Sequence, residues 1–180
     1  MLTAEQQEQR LRRLPVSPAQ TQPLDIAWGD RKRHLDAVCE IEQRAVEYPW
    51  TRQEFRNVLD DPRVKCVVAT DRAGAVLGYL VYERQRHVLH VLNVAVREQS
   101  QRRGVGSLLL LHVFLVLQNE GWQRIQLEVR ERNLGAHLFL RATGFRCVGI
   151  HREHFSTGED AYAFQYEPPI ARVDDDDETE

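Results

Sequence analysis

Cysteine, long apolar runs and the common nucleotide fingerprints are scarce or missing in this chain, and each shortage removes a class of protein. Cys39, Cys66 and Cys147 stand without a CxxC neighbour, in apolar or amphipathic segments. Reduced core thiols are therefore expected, not a disulfide framework. His87, His90, His112, His137 and His151 show neither HExxH spacing nor paired cysteines, so no metal site is expected. The longest apolar stretch, Leu108 to Leu117, is broken by His112 and is too short to span a bilayer. The first residues lack a basic-then-apolar leader, which points to a cytoplasmic protein with no membrane partner. GxGxxG would need a glycine where Leu109 stands, and a Walker loop would need GK[ST].

What remains is a chain of 180 residues with 42% hydrophobic content, enough for one α/β domain with a normal core. Residues 1–22 hold five glutamines and no sustained period, and read as a flexible N-terminal arm. Residues 168–180 set Arg172 against Asp174, Asp175, Asp176, Asp177, Glu178 and Glu180, a net of −5. With −3 overall, −3 − (−5) leaves +2 on the rest. The run reads as a disordered acidic tail, and residues 23–167 as the folded domain. No nucleic-acid site is evident, and the unit is expected to be a monomer or homodimer.

Hydrophobic periodicity orders the elements. Leu24 to Trp28 is a short strand, and apolar residues from Leu35 to Ala45 recur at helical steps. Thr51-Arg52-Gln53-Glu54 is a capping box, with Trp50 and Phe55 placed as a hydrophobic staple. Residues 64–70, 76–83 and 88–96 read as a β-meander. An apolar helix follows from Ser107, then a period-2 strand over 124–130, a helix over 134–143 capped by Asn133, and a hairpin of 145–155 with 161–166. The order is βααβββαβαββ.

The loop Gln101-Arg102-Arg103-Gly104-Val105-Gly106 lies between a β-branched strand and that apolar helix. Gly104 and Gly106 remove two Cβ atoms where backbone amides approach an anion, and the helix dipole points at the same spot. A pyrophosphate fits there, with Arg97, Arg102 and Arg103 adding positive charge.

QxxGxG after a strand resembles the acetyl-CoA loop of the GNAT acetyltransferases. The resemblance extends over about Leu24 to Tyr166, and within that superfamily it is nearest the ribosomal-protein alanine N-acetyltransferases, the RimI-like group. Four segments carry it: Pro49-Trp50-Thr51 with Phe55; Val94-Ala95-Val96 before the loop; Leu127-Glu128-Val129-Arg130 with Asn133; and Gly158-Glu159-Asp160-Ala161. It implies a GNAT fold, a mixed central sheet flanked by helices, and acetyl-CoA as co-substrate. Val94, Ala95 and Val96 would hold the acetyl and pantetheine part by their backbone. Arg102, Arg103, Gly104, Val105, Gly106 and Ser107 would hold the pyrophosphate, and Asn133 would touch the pantetheine arm. A diverging pair of strands leaves amides and carbonyls that a pantetheine chain satisfies as a pseudo-strand.

From spacing alone Glu128 is either a general base, off the apolar face of its strand, or a solvated residue paired with Arg130 or Arg124. The resemblance selects the base. The same group places a tyrosine acid twelve residues after this glutamate, where this chain has Leu140, and paired tyrosines on the acceptor where it has His154-Phe155. His154 either replaces a phenolic hydrogen bond, shares the base role, or is a surface residue. Trp50 would wall the peptide groove, with His154 and Phe155 also binding substrate. The implied function is transfer of acetyl to a primary amine, most simply a protein N-terminal α-amine. The loss at Leu140 leaves two alternatives: a small-molecule amine acetyltransferase with a cavity enlarged at that position, or a non-catalytic acyl-CoA-binding module.

Overall fold

The computed structural model describes residues 25–28 and 31–168. The arm expected at 1–22 lies outside the described residues, as does the acidic tail beyond Pro168. One seven-stranded sheet runs in the order β1-β2-β3-β4-β5-β7-β6. Its strands are β1 (Asp25–Trp28), β2 (Val64–Thr70), β3 (Val76–Gln85), β4 (Val88–Val96), β5 (Arg124–Arg130), β6 (Arg146–His151) and β7 (Ala161–Tyr166). The helices are α1 (Arg31–Ala45), α2 (Arg52–Leu59), α3 (Val105–Asn119) and α4 (Leu134–Ala142). All sheet contacts are antiparallel except β4 with β5, the pair that the α3 crossover joins. The expected mixed sheet is present. No helix among the described residues is long and apolar enough to cross a membrane.

Two apolar layers cover the sheet. On one face Leu109, Val113 and Leu117 of α3 pack with Ile125, Leu127, Val129 and Phe164. On the other, Val38 and Ile41 of α1 and Phe55 of α2 pack with Val68, Tyr79 and Val81. Both sheet faces are covered, which is why β2 and β3 are nearly continuous apolar runs. α2 starts as its sequence predicts. Thr51 Oγ1 accepts from the Glu54 amide at 3.2 Å, Glu54 accepts from the Thr51 amide at 2.6 Å, and the Trp50 and Phe55 rings meet edge to face at 5.2 Å.

Two expectations change. The strand expected over 145–155 stops at His151, because the backbone turns at Glu153 (φ 50°) and the Glu153 amide donates to Asp160 Oδ1 at 2.9 Å. Cys147 is not a core thiol: it is exposed on the edge strand β6, while Cys39 and Cys66 are buried. Burial raises the Cys39 thiol and pushes Cys66 up to about 12.

Gly78 on β3 is a contact that periodicity does not reveal. A methyl there would stand 3.0 Å from the Ala95 carbonyl oxygen, 3.0 Å from Val105 Cγ1 and 3.3 Å from Leu109 Cδ1. Its absence lets the start of α3 lie close against the sheet. Gly78→Ala is expected to cost about 1–3 kcal/mol through overpacking, read as a lower urea midpoint at unchanged m-value. In the native protein Cys147 should be the thiol that reacts promptly with an aromatic disulfide reagent. A second fast thiol would contradict the burial of Cys39 and Cys66.

Candidate active site

β4 and β5 are paired only from Val88 with Arg124 to Val91 with Leu127. Beyond that point they part. β4 stays bonded to β3 as far as Val96, and β5 stays bonded to β7 as far as Arg130, so each strand is held from its outer side alone. A bulge at Leu92, where Tyr82 pairs with Val91 and Val81 with Asn93, turns β4 at the fork. Ala95 packs into the α1 layer while Val94 and Val96 pack against the α3 layer, which commits the side chains to the core and leaves the inner backbone edge open. This edge fits an extended amide chain that enters as a pseudo-strand.

The chain leaves β4 through a tight turn. The Arg97 amide donates to the Leu77 carbonyl at 2.8 Å, a 3-10 turn covers Glu98–Ser100, and Gln101 Nε2 ties the loop back to the Val96 carbonyl at 3.2 Å. Arg102 (φ 58°) and Gly104 (φ 85°) are left-handed, and Gly104 is the N-cap of α3, where no side chain caps the helix. The first-turn amides of Val105, Gly106 and Ser107 are thus available to an anion. Arg102 and Arg103 flank them on the surface. Arg97 does not join them: it pairs with Glu40 at 3.3 Å and donates to the Val76 carbonyl at 3.3 Å. Phe139 of α4, which the sequence pattern does not single out, completes this wall, since a methyl on Gly106 would stand 3.5 Å from its ring and 3.8 Å from Val96 Cγ2. Asn133 caps α4 by accepting from the Ala136 amide at 3.0 Å.

Glu128 and Arg130 alternate with the buried Leu127 and Val129, and so emerge on the α1 face of the sheet. Glu128 pairs with neither Arg124 nor Arg130. Its Oε2 lies 2.8 Å from His154 Nε2, and its Oε1 lies 3.6 Å from Nε2 of His151, a residue not foreseen here. The His154 ring stands edge to face with Phe155 at 5.1 Å. Glu159 and Asp160 do more than turn the chain. Glu159 accepts from the Arg132 amide at 3.0 Å and pairs with Arg130, and these contacts hold its carboxyl below the usual range. Asp160 accepts from the Glu153 amide and from Arg152, with the same effect.

Leu140 is 2% exposed and packs in the α3 layer. Opposite, the buried Glu42 joins four elements: it accepts from the Trp50 amide at 2.8 Å, from Asn93 Nδ2 at 2.9 Å and from the Tyr79 hydroxyl. Burial, and then the Glu42 carboxylate, drive the Tyr79 phenol far above its ordinary value, so it stays a donor.

Residues 35–145 match the Acetyltransferase (GNAT) family, and the chain belongs to that family. With it, the protein is an acetyl-CoA-dependent N-acetyltransferase. The [ribosomal protein bS18]-alanine N-acetyltransferase of Salmonella typhimurium is 30% identical over 126 residues, 69% of this chain and 83% of that protein. The crystal structure of the ribosomal-protein-S18-alanine N-acetyltransferase from Escherichia coli superposes with a TM-score of 0.74 at 27% identity, over 84% of this chain and 97% of that one. Arabidopsis thaliana NAA60 in complex with acetyl-CoA shares the fold, with a TM-score of 0.70 at 16% identity, over 80% of this chain and 98% of that one.

Glu42→Leu would leave three donors without their acceptor, and a loss of about 3 kcal/mol is expected in chemical unfolding. Glu42→Gln keeps an acceptor oxygen and should lose clearly less; equal losses would show that shape, not hydrogen bonding, matters at this position.

Proposed function

We propose that this N-acetyltransferase modifies the α-amine of a protein N-terminus in the cytoplasm, as a ribosomal-protein-alanine-type enzyme. The observation that carries this reading is the exposed Glu128 carboxylate at the fork of β4 and β5, with His154 Nε2 2.8 Å away and on the face that bears α1 and α2. The bS18-alanine N-acetyltransferases among its relatives support an amine on a protein as acceptor.

Acetyl-CoA supplies the thioester carbonyl that the amine attacks. The open edge at Val94, Ala95 and Val96 would pair with the pantetheine amides, and one of these backbone amides would donate toward the thioester oxygen. Arg102, Arg103, Gly104, Val105, Gly106 and Ser107 would hold the pyrophosphate, and Asn133 the pantetheine arm. Glu128 takes the proton from the attacking amine, directly or through one water, while His154 fixes the carboxylate and shares the proton. An α-amine titrates at about 8, so its deprotonation near neutral pH needs little driving force. Trp50, His154 and Phe155 would line the acceptor groove. Leu140 donates no proton, and the leaving thiolate departs unassisted, a tolerable step for a thiol of ordinary pKa.

The test is thiol release from acetyl-CoA over a panel of N-terminal peptides and small amines, with product mass determined. Peptide-dependent turnover is expected, with kcat lowered about a hundredfold in Glu128→Gln at unchanged acetyl-CoA KM. Turnover of small amines alone would replace the protein acceptor with a small one. Binding of acetyl-CoA with no amine acetylated would make the chain an acyl-CoA-binding module.

A further inference from the structure

Arg130 has no part in the steps above, yet it is the residue that joins the two sides of the acceptor face. Its guanidinium carbon lies 4.3 Å from the centre of the Tyr48 ring and 3.7 Å from that of Phe155. Tyr48 belongs to the connection between α1 and α2, and Phe155 to the connection between β6 and β7. More than 100 residues of chain separate them. The same guanidinium donates from Nη1 to Thr157 Oγ1 at 3.2 Å and to Glu159 Oε2 at 3.1 Å. Its side chain is 22% exposed and that of Glu159 10%. Glu159 in turn holds the Arg132 amide, so the cation is anchored to the end of its own strand as well as to the far loop.

A planar guanidinium can lie against aromatic faces and still use its edge for hydrogen bonds, which a lysine ammonium cannot do. The arrangement therefore fixes the spacing of two loops that have no backbone hydrogen bond to each other among those the described residues show. Glu128 stands two residues away on the same face of β5.

We propose that Arg130 is a positioning residue that clasps the Tyr48 and Phe155 loops and thereby builds the entrance through which a peptide reaches Glu128. The proposal rests on the reading of a peptide acceptor. A peptide, long enough to touch both loops, depends on the clasp; a small amine that reaches Glu128 without touching them does not. The clasp acts on acceptor binding, since the Arg130 side chain engages Tyr48, Phe155, Thr157 and Glu159, all away from the β4 edge and the pyrophosphate loop.

The experiment compares wild type with Arg130→Met, Tyr48→Ala and the double variant, in steady-state kinetics and in hydrogen–deuterium exchange. In Arg130→Met the peptide KM should rise about tenfold at unchanged kcat and unchanged acetyl-CoA affinity. Tyr48→Ala should add little to it, because the two act through one contact. Exchange should quicken in both loops, 46–51 and 153–159. Arg130→Lys, which keeps the charge and the fold, should restore part of the peptide KM. The proposal is overturned if exchange quickens in 153–159 alone, or if kcat falls with KM unchanged. Should wild type acetylate no peptide, the acceptor reading fails, while the exchange in the two loops still decides whether the clasp exists.

Discussion

The parting of two parallel strands is the constraint on which the rest of this molecule depends. A sheet that stayed paired from Val88 to Val96 would satisfy its own backbone and offer a donor nothing. Here four pairs hold β4 to β5, and the bulge at Leu92 then swings β4 away. Each strand survives the separation because its outer neighbour, β3 or β7, continues to bond it. The open edge is thus the part of the sheet whose backbone has no strand partner on its inner side.

Around this fork the two apolar layers have different tasks. The α3 layer, drawn close by Gly78, delivers the uncapped helix start and the left-handed Gly104 to the end of β4. The α1 layer carries polar equipment. Glu42 is buried within it and ties α1, the Trp50 segment, β3 and the bulged β4 together. Glu128, His154, Arg130 and Glu159 form the outer part of the same face. The open backbone edge and the uncapped helix start therefore gather at the end of β4, and the charged side chains on the α1 face.

Much of this was legible in the sequence because its determinants are local. The capping box at Thr51, the Trp50–Phe55 staple, the Asn133 cap and the alternation of 124–130 each depend on residues a few positions apart, and each stands as read. What escaped is set by partners distant in the chain. Arg97 looked like one of three loop cations, but Glu40, 57 positions away, holds it elsewhere. His151 carries no motif, Arg130 has no role of its own in the motif that contains it, and the partners of both come from other strands and loops. Gly78 sits in an apolar run where a small residue attracts no notice, and only the approach of α3 gives it meaning. Cys147 reads as a core residue by its neighbours, but its strand lies at the sheet edge, and strand order is not written in any local pattern. The departure at Leu140 was visible at once; its burial in the α3 layer was not, because the residues that cover it come from other elements.

Glu42 also ties together two segments that are far apart in the chain. One side chain holds the Trp50 backbone amide ahead of α2 and the Asn93 side-chain amide at the bend of β4. Segments that share such an anchor share their freedom, so whatever stiffens one leaves the other less entropy to lose. A single buried carboxylate thus makes the start of α2 and the bend of β4 move as one piece, although 43 positions of chain lie between Trp50 and Asn93.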